Sequence, residues 1–95
     1  GYLIGIEKNN GNIIRVTDLF KNYKLKKRKN INPVGFVIGN TNLYLTNTDG
    51  KMIVVDLSLG NIEKIEKISG DFISRPFIFN QNLFVIRNGS IIQYN

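Results

Sequence analysis

The side chains best placed to do chemistry in this chain are cationic. Lys21, Lys24, Lys26, Lys27, Arg28 and Lys29 put six positive charges within nine residues, with Tyr23 the one aromatic among them. Such a run attracts anions: a carboxylate-rich protein surface, an anionic lipid, or a phosphate backbone. The remaining positives (Lys8, Arg15, Lys51, Lys64, Lys67, Arg75 and Arg87) are offset one for one by Glu7, Asp18, Asp49, Asp56, Glu63, Glu66 and Asp71, so the whole net charge of +6 resides in this segment. A domain that grips nucleic acid draws its basic face from several elements and interleaves stacking aromatics, and neither is found here. Nucleic acid therefore ranks last among partners. The run reads first as a solvated basic loop, and second as a weak contact surface for an acidic partner or anionic lipid through Lys24, Lys26, Lys27, Arg28 and Lys29.

Other chemistries have little to work with. The chain has no His and no Cys, which removes the commonest general bases, covalent nucleophiles and transition-metal ligands. Glu7 and Asp56 each stand just before a turn, where a carboxylate accepts backbone N–H bonds; that role is favoured over catalysis. No catalytic, cofactor-binding or metal-binding residue is assigned, and no cofactor is expected.

The elements that must position the basic run come from a repeat. Gly1-Tyr2-Leu3-Ile4-Gly5-Ile6-Glu7 aligns without gaps on Gly50-Lys51-Met52-Ile53-Val54-Val55-Asp56, and the match extends through Gly11-Asn12-Ile13 onto Gly60-Asn61-Ile62, at an offset of 49. A third copy begins at Gly89-Ser90-Ile91-Ile92-Gln93-Tyr94-Asn95, at an offset of 39. Asn42-Leu43-Tyr44-Leu45 matches Asn82-Leu83-Phe84-Val85 at an offset of 40. The unit is thus about 40 residues, and the extra length of the first copy falls between Asp18 and Pro33. The basic run is an insertion into the repeat, outside its core.

Each unit consists of short stretches rich in Ile, Val, Phe and Tyr broken by turn residues, the pattern of short antiparallel strands. Asp49-Gly50 and Asn88-Gly89 are expected to form two-residue hairpin turns, and Asn10-Gly11 and Leu59-Gly60 mark the next turn in each copy. The strand over residues 51–57 carries Met52 and Val54 on one face and Ile53 and Val55 on the other, so it needs apolar neighbours on both sides. The 62–68 segment, with Ile every third residue, suits an outermost strand whose Lys and Glu discourage edge pairing.

Four short strands per unit of about 40 residues, buried on both faces, is the pattern of a β-propeller blade. The segment from Asn42 to Asn61 resembles the PQQ-like repeat: an apolar strand, an Asp-Gly hairpin, a second strand ending in Asp, then a Gly turn. Asp49, Gly50, Asp56 and Gly60 match that pattern. Val54 and Val55 replace its Ala-Leu pair, Leu59 and Asn61 replace Thr and Lys, and Lys64 and Arg15 stand where quinoprotein blades carry a docking Trp. The resemblance covers most of the chain outside residues 18–32. It implies an all-β fold of antiparallel four-stranded blades, a partial propeller of about nine strands. Residues 1–17 end one blade, 18–32 form the basic insertion, 33–68 make a complete blade and 69–95 start the next.

The departures separate two branches of that family. The enzyme branch, PQQ-dependent quinoprotein dehydrogenases, is disfavoured because no adjacent Cys pair is present. The non-enzymatic branch, typified by BamB-type lipoproteins of the outer-membrane β-barrel assembly machinery, uses its loops to hold partners. That likeness implies a periplasmic, outer-membrane-associated scaffold whose partner is the barrel-assembly subunit, with any membrane attachment through a lipid anchor outside this piece. A quinoprotein dehydrogenase fragment, or a propeller interaction module of another role, are the alternatives. The chain opens at Gly1 without an initiator Met and reads as a piece of a longer protein with further blades, one whose open strand edges favour self-association.

Overall fold

The computed structural model describes residues 2–6, 13–21, 23–28, 30–70 and 72–94. Among them are nine strands: β1 (Tyr2–Ile6), β2 (Ile13–Asp18), β3 (Pro33–Ile38), β4 (Asn42–Asn47), β5 (Lys51–Asp56), β6 (Ile62–Lys67), β7 (Phe77–Phe79), β8 (Asn82–Arg87) and β9 (Ser90–Tyr94). A four-residue turn of helix, α1 (Leu25–Arg28), is the only other regular element among the described residues. The strands form three antiparallel sheets, β1-β2, β3-β4-β5-β6 and β7-β8-β9, each in chain order. The fold is all-β, with antiparallel sheets of two, four and three strands consistent with a partial propeller-like arrangement. Its shortest dimension is 18 Å, close to the roughly 20 Å length of a six-residue strand.

The middle sheet is buried on both faces, as the double-sided apolar pattern of β5 requires. Ile53 and Val55 of β5, with Leu43 and Leu45 of β4, pack toward the first sheet and meet Leu3. Met52 and Val54 point the other way, into a core with Leu83 and Val85 of β8 and with Ile73. Met52, Ile53, Val55, Ile73 and Val85 are wholly excluded from solvent; each such side chain contributes about 1.5–3 kcal/mol by leaving water. β6 lies outermost with Glu63, Lys64 and Lys67 exposed, the arrangement expected of an edge strand.

Turn chemistry sets the registers. At Asn88-Gly89 both residues have positive φ, 49° and 77°, and Arg87 pairs directly with Ser90, the two-residue turn read from sequence. Asp49-Gly50 differs. Only Gly50 is left-handed, at φ 79°, and its N–H donates to the Asn47 carbonyl at 3.1 Å, so the connection is a tighter-bonded turn closed by one left-handed glycine. Asn80 and Gln81 make a further left-handed pair, at φ 49° and 67°, that joins β7 to β8. Asp56 Oδ1 accepts the N–H groups of Ser58 and Leu59 at 2.8 and 3.1 Å, holding the β5–β6 turn as a backbone acceptor. Glu7 and Asn10-Gly11 lie outside the described residues.

Gly35 of β3 meets the segment leading into β7 so closely that an added Cβ would lie 2.6 Å from Arg75 Cβ. The two outer sheets turn apolar faces to solvent. β1-β2 presents Tyr2, Ile4 and Val16, while β7-β8-β9 presents Phe79, Ile86 and Ile91, with Phe77 and Phe84 stacked between them at 5.5 Å. Phe36 and Ile38 of β3 are more than half exposed, because the two-stranded sheet covers only the outer part of its neighbour.

Candidate binding cleft

Lys21, Lys24 and Lys26 of the basic run are exposed, as expected of a solvated loop, but the segment from β2 to β3 that carries the run is anchored in the core at its ends. Leu19, Phe20 and Ile31 are buried within the same core as Leu43, Leu45, Ile53 and Val55. The local chemistry explains the entry. Asp18 Oδ1 accepts the Phe20 N–H at 3.0 Å, turning the chain so that Leu19 and Phe20 enter the seam between the first two sheets. Phe20 then stacks on Tyr23, ring centroids 5.5 Å apart and planes 10° from parallel, and the Tyr23 N–H donates to the Phe20 carbonyl at 2.9 Å. The far end is clipped to the β4–β5 turn by two bonds, Asn32 N–H to Thr48 Oγ1 at 2.9 Å and Thr48 N–H to the Asn32 carbonyl at 2.8 Å. The insertion is therefore part of the core at both its ends.

Its basic residues divide by duty. Arg28 is engaged internally: its Nε–H donates to the Tyr23 carbonyl at 3.0 Å, and its guanidinium lies 3.7 Å from the Asp18 carboxylate. Lys24 and Lys26 are exposed and form one wall of an open cleft of about 840 Å³. Lys29 lies outside the described residues, and Lys27 contributes its backbone to α1. The opposite wall is the end of the middle sheet, where Lys51 and Lys67 stand directly across the β5–β6 ladder from each other. Tyr23 and Ile31 line the floor, with Asp49 beside them.

The electrostatics of this cleft are unbalanced. Among the described residues, the two ion pairs are Arg28–Asp18 and Lys64–Glu66, so Lys24, Lys26, Lys51 and Lys67 have none. Lys51 Nζ instead sits 5.3 Å from the Tyr23 ring centroid, a cation–π contact. Like charges directly opposite on a ladder oppose pairing, so the Lys51–Lys67 pair costs the sheet stability unless an anion joins it. The Tyr23 hydroxyl is buried next to Asp49 and Asn47, and its pKa is pushed up to about 12, by burial first and by the Asp49 carboxylate second. By distance and angle that hydroxyl and both ends of the fully buried Asn47 amide form no well-made hydrogen bond, although Asp49 and Asn47 both lie near enough to the hydroxyl to act on its pKa.

Lys51 and Lys67 escape a count of charges along the chain, where acidic residues cancel them. The ladder register that puts them opposite each other, and the fold of the insertion that brings Lys24 and Lys26 to the same place, are tertiary facts. No group of three His, Cys, Asp or Glu side chains suited to a metal occurs among the described residues. A smaller cleft between the second and third sheets is lined by Tyr44, Glu63, Lys64 and Tyr94. There the Tyr94 pKa is also pushed up to about 12, by burial and then by Glu66.

No protein-family model, curated protein or solved structure matches the chain.

Proposed function

We propose that this chain is part of a non-enzymatic protein-binding scaffold, a PQQ-like-repeat propeller of the kind used by BamB-type lipoproteins in the periplasm, with the outer-membrane β-barrel assembly subunit as partner. One observation carries the binding role. Two connections in this molecule make the same passage, from the outermost strand of one sheet to the innermost strand of the next. Residues 68–76 do so in nine residues, with Ile73 among them sealing the core. Residues 19–32 take fourteen, and the added length brings Lys24 and Lys26 of the basic run to an open cleft. Structural need is met by the short form, so the extra residues answer to something outside the fold.

The test is capture of the periplasmic portion of a barrel-assembly subunit by the purified chain, with charge reversal at Lys24 and Lys26 as the control. Saturable binding weakened by the reversal is the expected result. Failure to bind, or a quinone absorbance carried by the longer protein, would overturn the reading. The outward apolar faces of the first and third sheets also support self-association of this chain on its own. A clean monomer mass in solution would count against that part.

A further inference from the structure

We infer that the cleft between the insertion and the β5–β6 edge is a seat for an acidic, extended peptide segment, one of whose carboxylates bridges Lys51 and Lys67. The inference rests on the scaffold reading above and adds to it the site and the chemistry of the ligand. Lys51 and Lys67 are cross-strand partners, which puts their Cβ atoms about 5 Å apart. At that spacing two ammonium groups can converge on one carboxylate, turning a like-charge pair into a three-body ion cluster. Both belong to strands of the most deeply packed sheet, so this half of the seat is preorganised. Lys24 and Lys26 face it from the insertion and can take a second carboxylate along the ligand; side chains on one face of an extended peptide recur about every 7 Å.

The floor favours a peptide over other polyanions. Tyr23 has one ring face stacked on Phe20 and Lys51 Nζ near its ring, so it offers no platform for a nucleobase. Asp49 stands within the cleft, where its carboxylate can accept an N–H from a peptide backbone, a donor that a phosphate backbone lacks. Ile31 and the Tyr23 ring supply an apolar patch for the ligand's chain. Lysines set in the walls of a concave cleft are also poorly disposed to lie together on a flat lipid surface.

The experiment is a titration of the whole chain with a fluorescent oligoglutamate peptide at low salt, set against oligoglutamine, single-stranded oligothymidylate and phosphatidylglycerol vesicles. Saturable binding of oligoglutamate alone is expected, weakened by roughly tenfold in the K51Q/K67Q double variant, since two partly exposed ion pairs are lost. That variant should be at least as resistant to denaturant as the parent, because the like-charge pair is gone; binding that falls while stability holds cannot come from misfolding. Unchanged affinity in K51Q/K67Q overturns the seat, and tighter binding of oligothymidylate or vesicles overturns the peptide assignment. If oligoglutamate fails to bind while the barrel-assembly subunit is still captured, the seat is lost and the scaffold reading stands.

Discussion

The two connections between sheets face the same physical problem and solve it differently. Each must carry the chain from an outer strand to an inner one and close the apolar seam it passes. In the seam between the second and third sheets, Ile73 does this with Ile68 packed against the same core and Pro76 buried, and Thr46 Oγ1 donates to the Ser74 carbonyl at 2.9 Å. In the seam between the first and second, Leu19, Phe20 and Ile31 close the core, yet the buried Asn47 amide forms no well-made hydrogen bond and, among the described residues, Lys24, Lys26, Lys51 and Lys67 form no ion pair. One seam is optimised for packing alone. The other tolerates polar and electrostatic costs, the usual mark of a surface shaped by a ligand.

The largest effects should come from removing the seals. Phe20→Ala is expected to cost about 3–5 kcal/mol and Ile73→Ala about 2–5 kcal/mol in denaturant-monitored stability. A negligible effect at Phe20 would return the insertion to a solvated loop and end the comparison.

Smaller and opposite effects should distinguish how the two seams treat polar groups. Thr46→Val removes a satisfied bond and leaves the Ser74 carbonyl unpaired, a loss of about 1 kcal/mol, whereas Asn47→Leu replaces an unpaired amide and should gain about 1 kcal/mol. Melting midpoints shifting in the same direction would contradict this contrast.

The smallest effect is at alkaline pH. Because Tyr23 holds its proton to about pH 12 when folded and to about 10 when unfolded, its contribution to stability is intact below pH 10. It is lost as pH rises through 12. Tyr23→Phe should therefore flatten part of the stability decline in that window relative to the parent, read as midpoint against pH. Parallel curves for the two proteins would mean that the hydroxyl ionises as freely in the fold as outside it.

Much of this architecture was legible in the residues. The repeat anchors at Gly50, Asp56, Gly60 and Gly89, and the two-faced pattern of Met52 to Val55, are local signals, and the three sheets follow them. The turn at Asp49-Gly50 was read as two residues because the dipeptide favours that form; the bond from the Gly50 N–H back to Asn47 selects another. The Asn80-Gln81 turn carried no glycine to announce it. The anchoring of the insertion by its flanking residues went unseen for a different reason. Its lysines dominate any window average, and Leu19, Phe20 and Ile31 flank the basic run where their apolar character is diluted; only a partner surface far along the chain gives them something to cover. The cleft was half visible. Lys24, Lys26, Lys27, Arg28 and Lys29 stood out as a run, but Lys51 and Lys67 become a pair only through the β5–β6 register, and Arg28 is removed from the candidates by its bond to the Tyr23 carbonyl.

The most direct test is to exchange one connection for the other: replace residues 19–33 with the six residues Ile68-Ser69-Gly70-Asp71-Phe72-Ile73, then measure denaturant unfolding and oligoglutamate binding on the same preparation. The account predicts a cooperative transition, because an isoleucine at the start of β3 seals the seam as Ile73 does in the other, together with loss of binding. A chain that no longer unfolds cooperatively, or one that binds the peptide as tightly as before, would contradict the claim that the added length, beyond the residues that seal the seam, serves a partner.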